Sequence, residues 1–60
     1  MIILTGFETN EDIFVNEQTL VLAERRVTGE TILVFKSAAT ASVNETPREI
    51  RDLIREDWGA

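Results

Sequence analysis

Cysteine, histidine and tyrosine are absent from this 60-residue chain, and proline and tryptophan occur once each. Without cysteine no disulfide can form. Without cysteine or histidine the usual transition-metal cages have no ligands. General acid–base catalysis most often runs through histidine. Ser37 and Ser42 have no His to act as a base, and the one lysine, Lys36, ends the strand before Ser37. The paired carboxylates Glu11-Asp12 and Glu56-Asp57 are sequence neighbours that point apart, and so short a chain hardly builds the cleft they would need. The glycines, Gly6, Gly29 and Gly59, are isolated, so no phosphate-binding loop is present. The polar turn at 8–12 lacks the ligand spacing of a dedicated calcium loop. These absences predict a protein that is not an enzyme, with no catalytic, cofactor-binding or metal site.

Basic residues are also missing from a whole stretch of the chain. Residues 1–24 carry Glu8, Glu11, Asp12, Glu17 and Glu24 and no Lys or Arg. The six basic residues all fall in 25–60, where six acids balance them, and the net charge is −5. A phosphate backbone needs clustered Lys and Arg. The only adjacent basic pair is Arg25-Arg26, and acids interleave with Arg48, Arg51 and Arg55. The balance argues against a nucleic acid partner. It reads the acidic half as a solvated surface. No apolar run exceeds four residues, whereas a bilayer span needs about 18. No basic, apolar and small-residue sequence of a signal peptide is present. The pattern predicts no membrane insertion and a cytoplasmic location.

What remains is 43% hydrophobic, too apolar for a disordered chain. It forms one domain, 1–60. A globule of this size buries only about 60% of its unfolded surface. Small domains add disulfides, a metal or a partner subunit. The first two are excluded, so a homo-oligomer is expected.

Alternation and turn residues predict about five short strands over roughly 1–43 and one helix over roughly 47–58. The fold class is α+β, a small antiparallel sheet completed by oligomerisation. Ile2 to Thr5 is a β-branched run that reads as a strand buried on both faces, ended by Gly6. Ile13-Phe14-Val15 is a second strand, and Asn-Glu-Gln at 16–18 a turn. Thr19 to Val27 is the third strand. Thr28-Gly29 fits a two-residue hairpin turn, and Thr31 to Lys36 returns. Ser37-Ala38-Ala39 is a turn and Thr40 to Val43 a last strand.

Thr46-Pro47-Arg48-Glu49 is a capping box with proline at the first helical position. Ile50, Leu53, Ile54 and Trp58 then form one apolar stripe. Arg48 and Asp52 have the spacing to pair, and Gly59 is placed to end the helix. Glu45 stands where a hydrophobic staple would be.

Both faces of the 19–36 hairpin are apolar near its middle: Ile32 and Val34 on one side, Leu33 and Phe35 on the other. One helix covers one face, so the other calls for a partner subunit. The candidate interface residues are Leu33, Phe35, Val21 and Trp58. Trp58 has two readings, a residue closing the core at the helix end or an interface anchor. Arg25 and Arg26 read as a solvated strand end or as a contact for an acidic partner.

The order of these elements resembles a known family. Met1-Ile2-x-Leu4-Thr5, Phe14-Val15-Asn16, Gly29-x-Thr31-Ile32-x-Val34-Phe35, Val43-x-Glu45-Thr46, Glu49-Ile50 and Ile54 follow the pattern of the FlbD-like (SwrD/YlzI-type) small bacterial flagellar and swarming-motility proteins over nearly the whole chain. The resemblance implies a non-enzymatic protein-interaction module with a protein partner in the flagellar motor, and it offers no catalytic residues. The chain departs from the family at Ser37-Ala38, where members usually place glycine, and in the helix that runs on to Trp58. The layout is also similar to the carbon storage regulators, RNA-binding post-transcriptional regulators that form interlocked dimers of five-stranded chains. That family carries basic residues on its first strand and near its helix, where this chain has Gly6-Phe7-Glu8 and an acidic stretch before Arg25. A small phage accessory or structural protein is a third reading.

Overall fold

The computed structural model describes residues 1–59. Five strands precede one helix: β1 (Ile2–Thr5), β2 (Asp12–Val15), β3 (Leu20–Arg25), β4 (Thr31–Phe35), β5 (Thr40–Val43) and α1 (Pro47–Gly59). The class is the α+β arrangement that the residue pattern predicts. β1 and β2 form one antiparallel sheet, and β3, β4 and β5 another in that order. The two meet where Gly6 bridges Val43. There the Phe7 amide donates to the Ser42 carbonyl at 3.0 Å and the Asn44 amide to Thr5 at 2.9 Å. The end of β1 therefore lies beside the end of β5. Glycine suits Gly6 because a Cβ there would sit 2.5 Å from Thr9 Oγ1.

The core is Ile2, Leu4, Val15, Leu33, Val43 and Ile50, with Ile13, Leu20, Ala23, Phe35, Leu53 and Ile54 packed against it. These side chains come from every strand and from the helix, so both sheets and α1 share one interior. β1 is not buried on both faces. Ile2 and Leu4 point inward, while Ile3 is 53% exposed and stands opposite Phe14 in the register. The period of two has placed one residue of an unbroken apolar run on the outside.

Two hairpin loops share one geometry, and the first of them differs from the residue-based reading. Between β3 and β4 the loop has three residues, Val27 to Gly29, instead of two. The Arg26 amide donates to Glu30 at 2.8 Å, the Gly29 amide donates to Arg26 at 3.0 Å, and Gly29 takes φ 101°. That is a turn followed by a left-handed residue, the common three-residue hairpin. Between β4 and β5 the pattern recurs: Phe35 donates to Ala39 at 2.9 Å and Ala38 donates to Phe35 at 2.8 Å. Here the left-handed residue is Ala38, at φ 71°. Asn10, at φ 56°, plays that part in the β1–β2 loop, and asparagine tolerates it better than alanine.

The segment 16–18 is a 3₁₀ turn, Glu17–Thr19, capped by Asn16, whose side chain accepts from the Gln18 amide. Leu20 then faces Phe35 and Leu22 faces Val34, so Val21 is the extra residue of a β-bulge. Neither glycine nor proline marks this bulge in the sequence.

The capping box forms as the spacing predicts. Thr46 Oγ1 accepts from the Glu49 amide at 3.1 Å, and Glu49 Oε1 accepts from the Thr46 amide at 3.0 Å. The Thr46 amide first, and its hydroxyl second, hold the Glu49 carboxyl below its usual range. Glu45 replaces the staple with a polar tie, accepting from the Thr5 amide at 2.9 and 3.1 Å. Asp52 pairs with its neighbour Arg51 at 3.2 Å and not with Arg48. Among the described residues, no helix is long and apolar enough to cross a membrane.

Candidate interaction groove

Of the four residues expected at an interface, the structure separates two from the surface. Leu33 has no exposed area and sits at the centre of the chain's own core, so it is not a surface contact. Phe35 shares that inner face and is half-buried. The apolar pairing of β4 is thus the reverse of what a partner on Leu33 and Phe35 requires. The outward side carries Leu22 opposite Val34, and Ile32 opposite Glu24 and Ser42. Val21 is exposed at the bulge, and Trp58 is 69% exposed. Trp58 therefore does not close the core.

Trp58 instead ends a groove between β3 and α1. Leu20 and Ala23 line its strand side, and Pro47, Ile50, Ile54 and Trp58 its helix side, with Arg51 and Arg55 on the rim. Its volume is about 380 Å³. Arg25, at the far end of β3, acts electrostatically on Glu49 in the first turn of α1. Leu20 lies with Trp58 at the other end. Strand and helix run side by side in opposite directions.

The helix is sided in charge as well as in hydropathy. At 3.6 residues per turn, Arg48, Arg51 and Arg55 share a sector of about 60° adjoining Pro47, Ile54 and Trp58. Glu49, Asp52 and Glu56 occupy the sector beyond them, away from the groove. Asp57 lies on the flank toward β1, where Met1, Ile2, Ile3, Leu53 and Glu56 also meet it. The interleaving of charges along the sequence hides this separation.

On that β1 flank the Met1 amine lies 2.8 Å from Asp57 Oδ2 and 2.7 Å from Glu17 Oε1. The last turn of α1 has no basic side chain. The amine places a positive charge where the helix dipole favours one. Hydrogen bonds to Asp57 and Glu17 raise the amine above its usual 8.0, and the same amine holds Asp57 below its usual range. Glu17 is buried there, so it does not belong to the solvated acidic surface expected of residues 1–24.

A second exposed feature is the outer face of β1–β2, where Ile3 and Phe14, 53% and 66% exposed, stand opposite each other. Sequence reading placed neither at a surface. The available signal was the strict in–out alternation of Ile2, Ile3 and Leu4 against Val15, Phe14 and Ile13. Among the described residues, no cluster of His, Cys, Asp and Glu is arranged to hold a metal. Comparison with protein-family models, with curated proteins and with solved structures finds no match to this chain.

Proposed function

We propose that this chain is a non-enzymatic protein-interaction module that assembles with copies of itself, in the manner implied by its resemblance to the FlbD-like motility proteins. The observation that supports the reading is the Ile3–Phe14 pair. Two large apolar side chains stand together on an outer sheet face, and β2 beside them is an edge strand. Burying such a pair against its copy contributes roughly 25 cal/mol for each Å² removed from water. A two-fold axis through the face brings Phe14 against its own copy and needs no second kind of surface. A cytoplasmic partner in the flagellar motor completes this reading.

Sedimentation equilibrium at micromolar concentration tests it. The expected result is a dimer or larger species that Phe14→Glu converts to a monomer with an unchanged circular dichroism spectrum. A folded monomer of the unsubstituted chain at that concentration removes self-association. Unimpaired swarming after deletion of the gene in its host removes the motility role.

A further inference from the structure

We infer that the β3–α1 groove binds an extended peptide segment of a partner protein, one that alternates apolar with acidic residues and adds as a strand to the free edge of β3. The inference rests on the interaction-module reading and names the partner chemistry of a site separate from the Ile3–Phe14 face.

Three observations converge on that occupant. The first is the open edge. Among the described residues β3 pairs only with β4, and no other strand lies along its far side. The Arg26–Glu30 hydrogen bond sets the alternation of the ladder. It turns the backbone groups of Arg25 and Ala23 away from β4. A peptide along this edge finds amide and carbonyl partners at alternate positions, as in other cases of strand addition. The second is the floor. Leu20, Ala23, Ile50, Ile54 and Trp58 offer apolar surface to every second side chain of such a strand. The third is charge. Arg51 and Arg55 rim the groove and Arg25 lies at its end, and among the described residues Arg25 and Arg55 make no ion pair. In a chain of net charge −5, three of the six basic residues stand at this groove.

The same arginines argue against the other occupants. A second copy docked here about a two-fold axis would reverse the groove end for end and set Arg25 toward the Arg55 end of the copy, and like charges across an interface are unfavourable. A single nucleic acid strand is held by successive aromatic side chains. This groove has one, and its floor is otherwise aliphatic.

The test uses the full chain and a fluorescent probe peptide alternating valine with glutamate, read by anisotropy. The probe should bind, with affinity falling as salt screens the rim. Trp58→Ala should weaken it about thirtyfold, and Arg55→Glu at least about tenfold. Both positions are exposed, so both variants should keep the parent circular dichroism spectrum. Methylating alternate amides of the probe should abolish binding, which separates strand addition from simple apolar contact. Equal binding of a valine–lysine probe, tighter binding of single-stranded RNA, or no binding of the valine–glutamate probe overturns the inference. So does loss of oligomer in Arg55→Glu, because the groove would then be filled by a second copy. Sedimentation reads self-association independently, so an oligomer that ignores every probe refutes this inference alone.

Discussion

Ala38 offers a direct measurement of backbone strain. It holds φ 71° in the loop between β4 and β5, and its geometry matches that of Gly29, at φ 101°, in the loop before it. An L-residue in the left-handed region costs about 1–2 kcal/mol because Cβ crowds the following carbonyl. Glycine has no Cβ, but it loses about 0.4–1 kcal/mol more backbone freedom on folding. Ala38→Gly should therefore stabilise the chain by about 0.5–1 kcal/mol. Gly29→Ala is the mirror experiment. A Cβ at Gly29 meets nothing within 4 Å, so its penalty is conformational alone, and about 1 kcal/mol of destabilisation is expected. Urea unfolding at fixed protein concentration measures both. With a slope near 1 kcal/mol/M for so small a chain, the midpoint should rise by about 0.5–1 M for Ala38→Gly. It should fall by a similar amount for Gly29→Ala, at unchanged slope. A lower midpoint for Ala38→Gly would refute the strain argument.

Other substitutions probe the core, the cap and the amine. Leu33→Ala should cost about 2–5 kcal/mol, against a total of about 3–9 kcal/mol for a domain of this length. Val21→Ala at the exposed bulge should cost under about 0.5 kcal/mol. Thermal melts of the two variants check that Leu33 is core and Val21 is not. Thr46→Ala should cost about 1 kcal/mol. The Glu49 carboxyl is held below its ordinary 4.5, so its stabilisation is present above that value and is lost as pH falls through the lower folded value. Thr46→Ala removes the hydroxyl but keeps the amide that contributes most, so this acid limb of a stability–pH curve should become shallower without disappearing. For the Met1 amine the sign is opposite. Its folded value is raised above 8.0, so its contribution is complete below pH 8 and is lost as pH rises through the folded value. Acetylating the amine removes the charge, and should lower stability near neutral pH and abolish the alkaline loss.

The elements were readable because local signals carried them. Thr46-Pro47-Arg48-Glu49 contains the whole chemistry of the cap, and the strands follow β-branched alternation. Directions were harder. Ile2, Ile3 and Leu4 look alike in sequence, and only pairing with β2 decides that Ile3 faces out. The bulge at Val21 shifts which residues of β3 face the core, and it is set by β4. Leu33 looked available for a partner because the sheets join through Gly6 and Val43, a contact between distant residues that no local pattern announces. The groove needed α1 laid against β3, so its arginine rim existed in sequence only as helical spacing.

The junction of Gly6 with Val43 bears on how the chain folds. β1 pairs with β2 close by in sequence, but the residue after it meets Val43 in a distant segment. Contacts of such separation form slowly, because the loop must close before they reward it. Until they form, β1 and β2 are a lone two-stranded ribbon, which is marginal by itself in water, and Ile2, Leu4 and Val15 lack the cover of Val43 and Ile50. The arrival of β5 at the edge of β1 should therefore limit the folding rate, and weakening that junction should slow folding more than it speeds unfolding.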